Sequence, residues 1–214
     1  MNSNQSPLMK GNVPEGQRVL NLFIIGPSGC GKSTQAKLIA EKYHLTHFST
    51  GQILRDEIAS GSSLGIEAKK YIEKGVFCPD IIVIPIVENI LKTIDFQNFI
   101  LDGTPRRLDQ ALAIQSMLKQ HDQKITLIIH LDVTSQEIVN RRAKQEKLGN
   151  QFQDLNRPDN SPEAVIERQK QYNELNQPIL DHFQESNLLL NVDGNRPIEP
   201  IFEDMVKKID TLQI

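Results

Sequence analysis

Residues 26–34 read Gly-Pro-Ser-Gly-Cys-Gly-Lys-Ser-Thr. Their spacing is that of a loop built to hold phosphate: Gly26, four residues, then Gly31, Lys32 and Ser33. Glycines let the backbone curl until successive N–H groups converge on an anion. Lys32 adds a point charge for the outer phosphates, and Ser33 or Thr34 offers a hydroxyl to magnesium. A second group with the right chemistry is Asp102, which closes the apolar run Phe99–Leu101. An acid at the C-terminal edge of a strand stands where open sheets bind ligands, and it can hold magnesium through water. Its competing role is a turn or helix cap. Together these residues point to a phosphate-binding site rather than to a chance glycine-rich turn.

A phosphate loop works only between a strand and a helix. Val19, Leu20 and Leu22–Ile25 read as a buried strand, and Ala36, Ile39, Ala40 and Tyr43 recur at helical spacing. The positive end of that helix then faces the phosphates. Further strands are predicted at His47–Phe48, Phe99–Leu101, Ile125–Leu131 and Leu188–Val192. Helices are predicted after Arg106 (Leu108, Ala111, Leu112, Ile114, Leu118) and at the end (Phe202, Met205, Val206, Ile209). Alternating strands and helices argue for an α/β fold with a parallel sheet covered on both faces. Two segments break the alternation. Residues 50–79 are mostly helical, with turns at Ser60–Ser63 and at Gly75. Residues 144–161 are polar, with few apolar side chains, and so are expected to move as a lid over the phosphates.

The chain has 214 residues, 38% hydrophobic and 24% charged, with a net charge of −3. That is the composition of one soluble α/β domain with insertions. An acidic balance argues against nucleic acid as the main partner, and no apolar run is long enough for a membrane span. Residues 1–18 are polar, lack the apolar stretch of a secretion signal, and are expected to be a loose tail. The two cysteines, Cys30 and Cys78, lie in different motifs, which fits a reducing cytoplasm without a structural disulfide.

Six ordered blocks resemble the adenylate kinases among the nucleoside monophosphate kinases. They are the loop through Gln35, His47-Phe-Ser-Thr-Gly-Gln-Ile-Leu-Arg55, Gly75-Val-Phe-Cys-Pro-Asp80, Phe99-Ile-Leu-Asp-Gly-Thr-Pro-Arg106 with Gln110 and Ala111, Arg157-Pro-Asp-Asn160 with Arg168, and Asp193-Gly-Asn-Arg-Pro197. The resemblance runs from about Val19 to Ile209. It implies a three-layer α/β/α P-loop fold around a parallel five-stranded sheet, with the core at 19–48, 80–143 and 162–214. A helical monophosphate-binding insertion is implied at 49–79, and a lid at 144–161.

The resemblance further implies reversible, magnesium-dependent transfer between ATP and AMP, giving two ADP. The backbone of Ser28, Gly29, Cys30, Gly31, Lys32 and Ser33 would hold ATP phosphates, with Thr34 or Ser33 facing magnesium. Arg55 and Arg106 would grip the AMP phosphate beside Thr50, Gly51 and Gly103, and Gln110 would read the adenine edge. The backbone of Val76 and Cys78 would pass near base and ribose. Arg141 would stack on the ATP adenine, Arg196 would contact it through backbone, and Arg157 and Arg168 would clamp the transferred group. Partners are thus small nucleotides, and a monomer is implied.

The chain departs from the family pattern at several places. Thr104 stands where a large aromatic is usual, and Arg107 where threonine is common. Cys78 replaces an aliphatic, Gln145 a second lid arginine, and Asn160 an aspartate. Sixteen positions separate Arg141 from Arg157, a short-to-intermediate lid, and without a cysteine it has no zinc knot. These changes bear on acceptor choice: a UMP/CMP-type or other monophosphate kinase is one alternative, and a weakly catalytic nucleotide-binding regulator another.

Overall fold

A computed structural model describes residues 18–147 and 161–212. The central sheet contains β1 (Asn21–Ile25), β2 (Thr46–Ser49), β3 (Phe99–Asp102), β4 (Leu127–Asp132) and β5 (Leu189–Asp193). All neighbours are parallel, in the order β2-β3-β1-β4-β5. The five strands fall where the apolar runs place them. β1 starts at Asn21 rather than Val19. Asn21 is fully buried, its side chain donates to the Lys124 carbonyl, and its Oδ1 accepts from the Asn98 N–H. A buried amide with its bonds made is tolerated inside a core.

Strand alternation divides the interior in two. Leu22 and Ile24 of β1 face one core with Ala36 and Ile39 of α1 (Lys32–Tyr43) and Ile201, Met205 and Ile209 of the final helix, α8 (Ile198–Asp210). Phe23 and Ile25 face the other core, built with α4 (Asp80–Lys92), α5 (Leu108–Gln120) and α7 (Pro162–Glu185). This is the expected three-layer arrangement. Within α8, Met205 and Ile209 are buried as expected, whereas Phe202 and Val206 only border the core.

The expected helical insertion contains α2 (Thr50–Ser60) and α3 (Ser63–Ile72), which pack on one another. Ser62 caps α3 by accepting from the Gly65 N–H at 2.9 Å. Gly75 ends the segment at φ +71° and lies against α7 so closely that a Cβ would come 2.2 Å from the Ala164 carbonyl oxygen. Helix α6 spans Ser135–Lys147, so residues 144–147 of the expected lid are helical. Arg157 and Asn160 lie outside the described residues, as does the Gln145 side chain. Ser161 then caps α7, accepting from the Ala164 N–H at 3.1 Å, with Pro162 in the first turn. Among the described residues no helix is long and apolar enough to cross a membrane.

Candidate active site

The C-terminal ends of β1, β2 and β3 open onto one cleft, walled on its far side by the helical insertion and α7. β1 stops at Gly26 because the chain turns there at φ +152°, with Leu131 and Cys30 too close for any side chain. The loop curls through Gly29 and Gly31, both at positive φ, and delivers Lys32 as the first residue of α1. Lys32 is 93% shielded from solvent, and its ammonium folds back to donate to the Pro27 carbonyl at 2.7 Å.

Register sets the next contact. Ile24 pairs with Asp102 across β1 and β3, which brings the Asp102 carboxylate to the start of α1. There Ser33 Oγ donates to Asp102 Oδ2 at 2.5 Å. Thr34 is exposed at the cleft wall and makes no such bond. Of the two hydroxyls, Ser33 is the one beside the acid. Asp102 is buried, and burial alone would push its carboxyl up. His47 (Nε2 at 3.8 Å), the Lys32 ammonium and the Ser33 hydroxyl outweigh that and hold it below the ordinary range. His47, one strand away on β2, had drawn no role from sequence. Only the parallel pairing of His47 with Ile100 places it near this carboxylate.

The other half of the cleft is a hydrogen-bonded frame. Arg106 Nε donates to the Gly103 carbonyl at 2.6 Å, and its guanidinium lies 5.0 Å from the Phe77 ring centroid, a cation–π contact. Gln110 accepts from the Arg106 N–H and donates to Asp80, both at 2.8 Å. It is buried with these bonds already made, leaving one N–H and one lone pair for a ligand. Thr50 donates to the Asp102 carbonyl at 3.1 Å and accepts from Thr104 at 2.9 Å. Gly51, Arg55, Val76, Cys78, Gly103 and Arg168 also line the cleft. Arg55 donates to Gln52 at 2.8 Å. Burial pushes the Cys78 thiol up to about 11, so it packs as a small apolar group. Phe77 was legible only as a neighbour of Val76 and Cys78; its ring is what Arg106 rests on.

Two expected residues stand apart from this cleft. Arg141 on α6 donates from Nη1 to the Cys30 carbonyl at 2.7 Å and from Nη2 to the carbonyls of Gly194 at 2.5 Å and Arg196 at 3.3 Å. Glu137 accepts from its Nε at 2.8 Å. Arg141 therefore ties the back of the phosphate loop to the loop after β5. Arg196 is turned to Asp204 at 2.7 Å. Among the described residues the cleft carries the cations Lys32, Arg55, Arg106 and Arg168 against a single carboxylate, Asp102. An acidic protein thus presents a cationic cleft interior.

Comparison with known proteins agrees with this geometry. The adenylate kinase family model matches residues 24–188. An adenylate kinase of Methanothrix thermoacetophila is 34% identical, over 91% of this chain and all of the relative. One from Archaeoglobus fulgidus is 36% identical over 87% of this chain and 96% of its own length. One from Bacteroides fragilis is 36% identical over 91% of this chain and its entire length. With a phosphate loop, an acid at the end of β3 and a helical insertion in these positions, the chain belongs to the adenylate kinase family.

Proposed function

We propose that this enzyme transfers the terminal phosphoryl group of ATP to AMP, reversibly, giving two ADP. The observation that carries the reading is one continuous cleft with Lys32, Ser33 and Asp102 at one end and Arg55 and Arg106 at the other. A nucleotide phosphate chain at the first end and a monophosphate at the second would meet between them.

An oxygen of the AMP phosphate attacks the γ-phosphorus of ATP; the bond from that phosphorus to the β,γ-bridging oxygen breaks, and ADP leaves. The AMP phosphate is already ionised, so positioning and charge stabilisation matter more than a general base. The loop N–H groups of residues 28–33 hold the ATP phosphates. The Lys32 ammonium, which now spends one proton on Pro27, has others to follow the migrating charge. Arg106, fixed by Gly103 and Phe77, presents the acceptor phosphate together with Arg55. Arg168, at the cleft edge on α7, would clamp the transferred group together with Arg157, which lies outside the described residues.

The donors present fit magnesium. Ser33 and Asp102 are hard oxygen ligands within hydrogen-bond distance, and Asp102 is poised in its anionic form. These two residues would hold the ion, Asp102 through water, and the ion would supply charge neutralisation along the phosphates.

Phosphoryl transfer from Mg-ATP to AMP, UMP, CMP and GMP, with product separation, tests the reading. ADP from AMP in strong excess is the expected result. Preference for a pyrimidine monophosphate would reassign the acceptor, and ATP binding without any transfer would point instead to a regulatory nucleotide-binding protein. Lys32→Ala should abolish turnover while leaving the fold intact.

A further inference from the structure

We infer that His130 and Tyr172 are positioning residues for phosphoryl transfer: their hydrogen bond anchors α7 to the sheet and so holds Arg168 at the cleft. The inference rests on the transfer reading above. It starts from a polar chain behind the phosphate loop. His130, 7% exposed, is paired on β4 with Ile25, the residue before Gly26, on one side and with Asn191 of β5 on the other. Its Nδ1 lies 2.9 Å from Asn191 Oδ1, and its Nε2 lies 2.8 Å from the Tyr172 hydroxyl on α7. None of the three side chains lines the cleft.

Proton directions in this chain follow from what each group can do. An amide oxygen only accepts, so His130 Nδ1 carries the ring proton and donates it to Asn191. Nε2 is then a bare lone pair, and the Tyr172 hydroxyl donates to it. Burial pushes the His130 ring down and the Tyr172 phenol up, so both stay neutral near neutrality and keep this polarity. In so dry a site the two bonds reinforce one another.

Among the described residues, α7 buries no apolar side chain between Ala164 and Ile179. Over that stretch hydrogen bonds, more than packing, set where the helix lies. Gln171 joins it to the segment from Gly75 to Phe77, and Tyr172 joins it to the sheet. Arg168 stands one helical turn before Tyr172 on the same face, and it lines the cleft. Tyr172 and Asn176 also border a small hollow behind Gly26, Gly103 and Arg106. A shift of α7 therefore moves Arg168 relative to both the phosphate loop and Arg106, between which the phosphoryl group passes. The two nucleotides are held by other groups, so such a shift costs rate more than binding, and a misplacement of about 1 Å is enough to matter.

Conservative variants separate positioning from bulk stability. Tyr172→Phe keeps the ring and removes the proton given to His130. His130→Gln keeps an acceptor near the place of Nε2, whereas His130→Asn keeps a donor to Asn191 and falls short of Tyr172. Initial rates with Mg-ATP and AMP should show kcat lowered about tenfold in Tyr172→Phe and His130→Asn, with each KM within about twofold, and kcat near the parent value in His130→Gln. In an Arg168→Lys background Tyr172→Phe should cost little more, because the hydroxyl acts through Arg168. An unchanged kcat in folded Tyr172→Phe overturns the inference. So do equal losses in the glutamine and asparagine variants, or a full further loss in the Arg168→Lys background. Should the histidine variants fail to fold, Tyr172→Phe and its cycle with Arg168→Lys decide alone. A parent protein that transfers phosphate to no monophosphate overturns the kinase reading instead. Calorimetric titration with two adenosines joined by a polyphosphate then reads the same cycle through affinity, and full additivity there overturns the anchor.

Discussion

Ser33 and Asp102 stand 69 positions apart in the chain and meet side chain to side chain, Oγ to Oδ2, at 2.5 Å. One lies in the first turn of α1, the other ends β3, and parallel pairing of β3 with β1 brings them together. Asp102→Asn keeps the size and removes the charge. Transfer should fall by about two orders of magnitude, the scale for losing one preorganised electrostatic group, and the magnesium requirement should rise. A carboxyl depressed in the folded state contributes stability above its unfolded pKa, about 3.9, and that contribution is lost as pH falls through the folded value. The stability difference between parent and Asp102→Asn should therefore shrink below about pH 4. Urea unfolding midpoints at stepped pH measure this, and a gap that widens in acid would contradict it.

The phosphate loop was legible because its chemistry is local: glycine spacing, a lysine and a hydroxyl are all visible within nine residues. The choice between Ser33 and Thr34 was not, since adjacent helical positions differ in direction and only the placement of β3 selects one. Helix α4 escaped the sequence reading for a different reason. Ile81–Val87 is an almost unbroken apolar run interrupted by Pro85, which carries neither a clear helical period nor a strand's alternation. Arg141 could be picked out as a cleft candidate, but its partners are main-chain carbonyls, and sequence gives no sign of which carbonyl a guanidinium will meet.

Arg141 makes that point testable. Its fork bonds carbonyls on two separate loops, those of Cys30 and Gly194. A lysine has one nitrogen and cannot span both. Arg141→Lys should raise KM for ATP about tenfold while leaving KM for AMP within twofold. Initial rates with each substrate varied in turn separate the two. Equal increases would mean that the tie serves the whole cleft.

Cys78 offers a check on burial. Its thiol is 5% exposed and pushed up to about 11 by desolvation, so little thiolate forms near neutrality. Cys30 is also buried. A colorimetric disulfide reagent at pH 8 should label the native protein far more slowly than free cysteine, with two thiols titrating at once in guanidinium. Immediate native labelling of Cys78 would show that the segment from Gly75 to Pro79 opens readily.

That segment is held from behind by Gln171. Its Oε1 accepts from the Phe77 N–H at 3.0 Å, while its Nε2 donates to Glu167 at 2.7 Å and reaches the Gly75 carbonyl at 3.4 Å. Gln171 is 8% exposed, so these groups have little water to turn to. Gln171→Leu fills the space but leaves the Phe77 N–H without its partner, at a cost of about 1–3 kcal/mol. Because Phe77 supports Arg106 from the ring face, the loss should reach the acceptor half of the cleft and not the phosphate loop. A lower melting temperature is expected, with KM for AMP raised severalfold and KM for ATP unchanged. Gln171→Glu keeps an acceptor for Phe77 but sets a second carboxylate against Glu167, so it should lie between the parent and the leucine variant. A leucine variant that melts lower yet binds AMP normally would confine Gln171 to stability.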